Sequence, residues 1–259
     1  MESINIQSEP LISVITPSYN ASKYLEATIK SVLAQKYSNW EMIIVDDCSS
    51  DNSVDIIKKY ANEDERIRYV VLSTNSGAAV ARNTAINESK GNYIAFLDSD
   101  DQWFPEKLHE QLMFMQKNNL AFSYTSYINI DEKGEKEGSI VEVPSEVNYK
   151  QLLKQNVIGC LTVMLNKDMI GQVEMVNIRT RQDYVLWLDL CKRGFRAVGI
   201  QKPLSKYRIV ENSVSSNKLN MAKQNWKVYR DIEKLGLVKS VYYFIQYALL
   251  KIIKYTKSR

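Results

Sequence analysis

The sequence has few of the residues on which several common active sites depend. Histidine occurs once in 259 residues, as His109 on a predicted helix surface, which removes most support for zinc–histidine centres and for Ser-His-Asp catalysis. The three cysteines, Cys48, Cys160 and Cys191, are far apart and match no zinc-binding spacing. Scattered cysteines in an odd number favour a reducing compartment over a disulfide framework.

Familiar nucleotide-binding motifs are missing as well. No Gly-x-Gly-x-x-Gly follows a predicted strand, which argues against a dinucleotide site, and no Gly-x-x-x-x-Gly-Lys-Ser/Thr occurs, which excludes a P-loop. The first ten residues lack a basic start and an apolar run, so no signal peptide is expected. The apolar run at 241–250 is shorter than the roughly 20 residues that span a bilayer.

The composition is that of an ordinary globular protein, but the charge is uneven. Hydrophobic residues make up 45% and charged residues 25% of the chain, which suits one domain with a sizeable core. Residues 218–259 contain ten Lys and Arg against two acids, a net +8, so the total of +4 leaves −4 for residues 1–217. Aromatic and aliphatic residues alternate in this basic segment as they do in a lipid-facing or core-facing helix, so no nucleic-acid partner is expected.

The alternation of strands and helices predicts an α/β fold. Buried strands are predicted at 11–16, 42–45, 67–72 and 93–97, with helices at 22–35, 53–60 and 78–88 between them. This order implies a mostly parallel central sheet flanked by helices, with right-handed crossovers. Further strands are predicted at 121–130, 140–143, 160–165, 195–201 and 204–209, further helices at 149–155 and 181–193, and a helical extension at the C-terminus.

Polar residues follow each of the first four predicted strands. They lie at 16–20, 46–47, 75–77 and 98–101. Ligands of parallel sheets bind beyond the carboxyl ends of the strands, so these residues are expected to share one site. The carboxylates of Asp98, Asp100 and Asp101 repel one another, which favours a bound Mg²⁺ or Mn²⁺. The alternative is an Asp-rich turn that caps the following helix.

Other residues near this edge could bind a nucleotide. Arg82 on the third helix could donate to a phosphate, Asp47 could accept from a base N–H, and Tyr19 could stack on a ring. Each of them could equally fill a cap, turn or core position.

Four ordered motifs carry a family resemblance. They are Ser-Val-Ile-Thr-Pro-Ser-Tyr-Asn at 13–20, Glu-Met-Ile-Ile-Val-Asp-Asp-Cys-Ser-Ser-Asp at 41–51, Asn-Ser-Gly with Ala-Arg-Asn at 75–83, and Gly-Asn-Tyr-Ile-Ala-Phe-Leu-Asp-Ser-Asp-Asp at 91–101. Together they resemble the family-2 glycosyltransferases with the GT-A fold, and in particular those that build bacterial cell-surface polysaccharides such as teichuronic acid. The resemblance is dense over residues 11–110 and thin over 111–215.

The resemblance implies a transferase, of hexosyltransferase type, that moves a sugar from a nucleotide donor, usually UDP-linked, with inversion. Thr16, Pro17, Tyr19 and Asp47 match positions that hold the uracil and ribose, and Arg82 matches one near the nucleotide. Residues Asp98, Ser99 and Asp100 match the Asp-x-Asp motif, which contacts the donor and whose carboxylates hold Mn²⁺ or Mg²⁺. Asp101 is expected to support these ligands or to cap the helix that follows.

The family's general base is an acid at the start of a late helix. Asp183, in Gln182-Asp183-Tyr184, matches it, although Gln182 stands where the family more often has Glu. The alternative for Asp183 is a carboxylate that only stabilises the helix N-terminus. Trp187, one turn further on, could line an acceptor groove or belong to the core.

Two further features concern the acceptor. Arg208 and the segment 213–217 resemble the mobile loop that closes over the donor, without the histidine that this loop often carries. The Gln-x-x-Arg-Trp signature of processive synthases is absent, which favours single additions.

The resemblance divides the chain into a catalytic domain at 1–217, with a nucleotide-binding half at 11–117 and an acceptor-side half at 118–217, and basic amphipathic helices at 218–259. The expected partners are a nucleotide-sugar donor and a glycan or lipid-linked acceptor. The basic helices could dock on an anionic membrane or pack on a protein surface. The expected location is cytoplasmic, peripheral on the inner face of the cell membrane if docking occurs.

Two other functions stay open at this stage. A sugar-nucleotide pyrophosphorylase shares a related sheet and metal use, but its Gly-rich loop after the first strand is absent. A membrane-docked subunit that binds a sugar nucleotide without turnover would not need the intact acids.

Overall fold

The computed structural model describes residues 9–210 and 218–257. Within them, the strands are β1 (Ile12–Ser18), β2 (Trp40–Asp46), β3 (Ile67–Val71), β4 (Tyr93–Phe96), β5 (Gln102–Trp103), β6 (Phe122–Ile130), β7 (Glu137–Val141), β8 (Glu146–Val147), β9 (Met164–Asn166) and β10 (Ala197–Arg208). The helices are α1 (Leu25–Leu33), α2 (Ser53–Glu63), α3 (Ala78–Glu88), α4 (Lys107–Lys117), α5 (Tyr149–Lys154), α6 (Lys167–Ile170), α7 (Gln182–Lys192), α8 (Lys218–Lys227) and α9 (Leu237–Lys257).

All of these strands belong to one sheet, in the order β3-β2-β1-β4-β9-β6-β10-β5, with β7 beside β6 and β8 beside β10. Strands β3, β2, β1 and β4 are parallel to one another, and β10 is parallel to β6. The short strand β9 runs antiparallel to both β4 and β6 and joins the two halves of the sheet. The predicted α/β fold with a mostly parallel central sheet flanked by helices is therefore confirmed.

Helices cover both faces of the sheet because alternate strand residues point to opposite sides. In β1, Val14 packs in the layer formed with α1, α2 and α4, whereas Ile15 packs in the layer formed with α3 and α7. Both residues are fully buried. The strands thus leave the carboxyl edge of the sheet as the place where polar side chains can gather.

Three local predictions need correction. Residues 160–165, predicted as a strand, begin with a 3₁₀ turn at Cys160–Thr162, because the Thr162 N–H and hydroxyl both donate to the Gly159 carbonyl at 3.0 and 2.7 Å. The two strands predicted at 195–209 are one strand, β10, whose register with β6 shifts on either side of Pro203. The first helix, predicted at 22–35, begins at Leu25, and the N–H of Ser22 donates to Asp51 at 3.0 Å.

The C-terminal segment packs on the domain through one part of its surface. Tyr229, in the π-helical turn Val228–Ile232, is fully buried and donates to the Leu153 carbonyl at 2.5 Å. Glu233 accepts from Tyr149 at 2.5 Å and from Lys192 at 2.8 Å. These contacts fix the start of α9.

Helix α9 leaves an apolar stripe in solvent. Val238, Val241, Tyr242, Ile245 and Leu249, spaced three or four residues apart, are 84, 42, 50, 51 and 50% exposed. Tyr243 and Phe244 of the same helix pack against the core and Tyr247 is buried, so α9 has one apolar side on the protein and another in solvent. No helix within the described ranges is long and apolar enough to cross a membrane.

Trp187 occupies the core and not a groove. Its side chain is fully buried, with ring centroids 5.7 Å from Phe96 and 5.2 Å from Phe122. It points toward the sheet because α7 packs its apolar side there, so the expected acceptor-groove position is corrected to a core position.

We expect Trp187→Ala to lower the free energy of unfolding by about 3–5 kcal/mol, because it leaves a cavity between two aromatic rings. Trp187→Phe, which keeps a ring, should cost less. Urea unfolding followed by circular dichroism measures both. A stable Trp187→Ala protein that had lost only acceptor affinity would contradict the core position.

Candidate functional site

A cavity of about 550 Å³ opens at the carboxyl ends of β1, β2 and β4. Loops after these strands, the start of α3 and the segment before α7 form its sides. It is lined by Pro17, Ser18, Tyr19, Asp47, Asn75, Gly77, Ala78, Ala81, Arg82, Asp98, Ser99, Asp100, Arg179, Thr180, Arg181, Gln182 and Met221. Most of the predicted site residues therefore meet in one place.

Four predicted site residues do not line the cavity: Thr16, Asp183, Trp187 and Arg208. Asp183 is the direct neighbour of the cavity-lining Gln182. Thr16 is fully buried within β1, because the strand turns its side chain away from the opening that Pro17 lines. Trp187 lies in the core, as described above. Arg208 is buried at the end of β10. The sheet and the loop of residues 98–101, called the acidic loop below, enclose it. The segment 213–217, predicted to form a mobile loop, lies outside the described residues.

Asp47 organises the loop that leads into α3. Its two carboxylate oxygens accept from the backbone N–H groups of Ser76 and Gly77 at 2.7 and 2.8 Å. Asn75 donates through its side chain to the Asp47 carbonyl at 3.1 Å. Gly77 has φ +93°, a conformation that glycine adopts without strain. Asp47 is buried, so the loop that it binds is fixed in position along one side of the cavity.

A buried ion pair joins α3 to the loop after β4. Arg82 Nη2 donates to Asp98 Oδ1 at 2.5 Å, with the Arg82 side chain 8% and the Asp98 side chain 30% exposed. Burial alone would lower the pKa of Arg82, but the charge of Asp98, its hydrogen bond and the nearby groups of Cys160 and Asp183 together raise the pKa. The Nε–H of Arg82 is a buried donor without an acceptor among the described residues.

Asp100 stands in an environment that favours a cation. Burial, followed by the charge of Asp98, raises the pKa of Asp100 to about 6. No group of three or more His, Cys, Asp and Glu side chains among the described residues is placed to hold a metal ion. Mg²⁺ and Mn²⁺, however, need only one or two carboxylates when phosphate oxygens and water complete their shell. Asp98 and Asp100 fit that requirement.

Asp101 and Arg208 hold the acidic loop from behind. Asp101 Oδ1 accepts from the Arg208 N–H at 2.8 Å, and the Asp101 carbonyl accepts from the Thr28 hydroxyl at 2.8 Å. Arg208 donates from Nε to the Asp100 carbonyl at 2.6 Å and from Nη1 to the Glu132 carbonyl at 2.8 Å. Asp101 therefore supports the loop, as one of its two expected roles required, and it does not cap α4.

Asp183 is the second residue of α7 and lies next to the cavity-lining Gln182. Burial raises the pKa of the Asp183 carboxyl, while the charge of Arg82 opposes that shift and the charge of Asp98 adds to it. The carboxyl is therefore close to the ion pair of Arg82 with Asp98. A carboxylate with a raised pKa is a stronger proton acceptor than an ordinary aspartate.

Sequence reasoning missed the segment 179–182 as part of the cavity. Arg179, Thr180 and Arg181 line it, and none of them belongs to a recognised motif. The available signal was the Arg-Thr-Arg run directly before the predicted base.

The fold belongs to the GT-A class, as two solved structures show. The chain has a TM-score of 0.71 with Staphylococcus aureus TarS 1-349 in complex with UDP-GlcNAc, at 19% identity, covering 92% of this chain and 71% of that one. It has a TM-score of 0.69 with the mannosyltransferase PcManGT from Pyrobaculum calidifontis in complex with GDP-Man and Mn²⁺, at 14% identity, covering 89% and 66%. At these identities the likeness shows the fold alone.

The family assignment rests on sequence. The profile of glycosyl transferase family 2 matches residues 13–171. The Bacillus subtilis protein named "Putative teichuronic acid biosynthesis glycosyltransferase TuaG" is 51% identical over 240 residues, which is 93% of this chain and 95% of that protein. The Escherichia coli UDP-Glc:alpha-D-GlcNAc-diphosphoundecaprenol beta-1,3-glucosyltransferase WfgD is 39% identical over 246 residues, 95% of each chain. The chain belongs to glycosyl transferase family 2, as its motifs predicted, and is a glycosyltransferase.

We expect Arg208→Gln to lower the free energy of unfolding by about 2–4 kcal/mol, because it leaves buried carbonyls without their charged donor. Arg196→Gln is the matched control, since Arg196 pairs with Glu146 on the surface and its loss should cost less than about 1 kcal/mol. Chemical unfolding measures both. Equal stability of the two variants would contradict the role of Arg208 in holding the loop.

Proposed function

We propose that this enzyme transfers a sugar, with inversion, from a UDP-sugar to a hydroxyl of a lipid-linked glycan during cell-surface polysaccharide synthesis. The observation that carries the proposal is the meeting of the acidic loop, the ion pair of Arg82 with Asp98, and the start of α7 around one cavity. The names of the relatives support the substrates: one is linked to teichuronic acid and another uses UDP-Glc with a diphosphoundecaprenol-linked acceptor. Family membership leaves the pyrophosphorylase alternative without support.

In this proposal the donor lies along the carboxyl edge of the sheet. Pro17 and the half-exposed ring of Tyr19 contact the base and ribose beside Asp47, which lines the same cavity. The diphosphate lies against Asp98 and Asp100. A bound Mg²⁺ or Mn²⁺ supplies positive charge that stabilises the diphosphate as it leaves. Arg82 keeps the acidic loop in place through its ion pair with Asp98.

Asp183 acts as the general base. The acceptor oxygen forms its bond to the anomeric carbon while the bond to the diphosphate breaks, and the hydroxyl proton passes to the Asp183 carboxylate. Burial of this carboxyl raises its pKa and so increases its basicity. The positive charge of Arg82 limits this rise in pKa and so favours the ionised form that accepts the proton. Attack on the face away from the leaving group gives inversion.

We expect Asp183→Asn to reduce sugar transfer by about 10²–10⁴-fold, because the amide cannot accept the proton. The affinity for UDP should stay close to that of the wild type, since the donor contacts are elsewhere. Asp189→Asn is the matched control on the same helix, where Asp189 is exposed and 3.5 Å from Arg193. Release of UDP from a panel of UDP-sugars with Mn²⁺ and a GlcNAc-diphospho-lipid acceptor measures transfer. Full turnover by Asp183→Asn would refute the base.

The enzyme would work in the cytoplasm at the inner face of the membrane. The exposed stripe of α9 (Val238, Val241, Tyr242, Ile245 and Leu249) presents apolar area to solvent in the segment whose net charge is +8. Lys234 and Lys239 are exposed close to it in sequence. Near an anionic bilayer each such lysine contributes about 1 kcal/mol to binding, and the apolar side chains add to it.

We expect Ile245→Glu to weaken binding to phosphatidylglycerol vesicles by at least about tenfold, because it puts a charge where an apolar side chain would enter the interface. Ile140→Glu is the control, since Ile140 is 56% exposed on β7, far along the chain. Vesicle sedimentation, repeated with phosphatidylcholine, measures the effect. Equal losses of vesicle binding in both variants would contradict docking through α9. A protein dimer that Ile245→Glu dissociates and Ile140→Glu does not would also contradict it, because the stripe would then be a protein interface.

A further inference from the structure

The charges that line the cavity are unevenly paired. Arg82 is held by Asp98 at 2.5 Å, and Asp47 by two backbone N–H groups. Arg179 and Arg181, on the segment before α7, form no ion pair with any carboxylate among the described residues. One side of the cavity is therefore acidic, while another carries two guanidinium groups that form no such ion pair, although the charge of Arg181 acts on Asp183.

Arg181 is held by neutral groups. Its Nη2 donates to the Tyr247 hydroxyl of α9 at 3.3 Å, and its guanidinium lies 5.9 Å from the ring centroids of both Tyr184 and Tyr247. Its Nε is buried without a partner among the described residues. The backbone at Arg181 has φ +72°, which a bulky side chain rarely adopts, so the surroundings fix this residue.

The neighbouring groups also suit an anion. Thr180 is 8% exposed, and its hydroxyl has no partner within the described part of the chain. The backbone N–H groups at the start of α7 point toward the same segment, with the positive end of the helix dipole. Arg179 is exposed and free to move onto a ligand. Two arginines, a hydroxyl and a helix start together form a site for a phosphate group.

We propose that Arg179 and Arg181 bind the diphosphate of a prenyl-diphosphate-linked acceptor and so orient its sugar toward Asp183. The inference rests on the proposed function, which assigns the donor diphosphate to Asp98 and Asp100 and leaves this second cationic surface for a second anion. Tyr247 connects the site to α9, whose other face carries the exposed apolar stripe. A prenyl chain leaving the cavity past Tyr247 would thus reach the surface that docks on lipid.

The test is a binding titration that needs no turnover. Farnesyl diphosphate is titrated into the full-length protein saturated with UDP and Mg²⁺, so that the donor site is occupied, and farnesol and inorganic pyrophosphate are titrated in parallel. Arg179→Gln and Arg181→Gln should each weaken farnesyl diphosphate binding by about tenfold or more, because each loses a charge-assisted hydrogen bond. The affinity for UDP alone should change by less than about twofold. Arg196→Gln, on the surface, is the control and should bind as the wild type does.

Each outcome decides the question. Weaker UDP binding with unchanged farnesyl diphosphate binding would assign the arginines to the donor and overturn the proposal. Farnesol binding as tightly as farnesyl diphosphate would also overturn it, because the tail alone would then be recognised. Pyrophosphate that shows the same sensitivity to both variants supports phosphate recognition. Because Arg179 is exposed and forms no hydrogen bond or ion pair among the described residues, Arg179→Gln stays informative if Arg181→Gln disturbs α9. Absence of sugar transfer would count against the proposed function but not against this site.

Discussion

The ion pair between Arg82 and Asp98 is the interaction on which the site depends. It links the second turn of α3 to the loop after β4 across a buried contact of 2.5 Å. Removing either partner would leave a charge in a mostly buried place, which costs several kcal/mol. The pair therefore fixes the acidic loop relative to the loop that Asp47 organises, and both loops form sides of the same cavity.

A second arginine completes this arrangement from the other side. Arg208 reaches the Asp100 carbonyl and the turn after β6, while its own N–H binds Asp101. The acidic loop is thus held between α3 and β10, and its carboxylates need not reorganise when a ligand binds. Because these groups are already in position, they stabilise the charge that develops on a leaving group without having to reorganise. Burial, followed by the charge of Asp98, raises the pKa of Asp100 to about 6, and a bound cation would stabilise its ionised form.

The parts that sequence reasoning predicted are those that depend on local patterns. The first four strands are apolar runs followed by polar turns, so their parallel order and the common edge at Asp47 and Asp98 could be inferred. A strand was predicted at 160–165, but the bounds of β9 and its antiparallel place between β4 and β6 could not be inferred, because a three-residue strand has no period and its place depends on tertiary pairing. Trp187 could have faced either way, and only the packing of α7 on the sheet decides it.

The position of the segment 179–182 in the lining of the cavity could not be predicted from the sequence, for a different reason. Arginines are usually exposed and paired with carboxylates. Only the folded structure shows that Arg181 instead contacts Tyr184 and Tyr247 and forms no ion pair with a carboxylate among the described residues. The motif alone identifies Asp183 as a candidate base. Its electrostatic interaction with Arg82 and Asp98 cannot be read from a motif, because these residues lie about a hundred positions away in the sequence. Long-range electrostatics of this kind follow from the fold and not from spacing.

The most direct test of the account is calorimetric binding of UDP, with Mn²⁺ and with EDTA, to the wild type and to Asp100→Asn. The account predicts that Mn²⁺ tightens UDP binding to the wild type by at least about tenfold and leaves binding to Asp100→Asn unchanged, because the carboxylates past β4 hold the cation against the diphosphate. UDP that binds the wild type equally tightly in EDTA and in Mn²⁺ would contradict it.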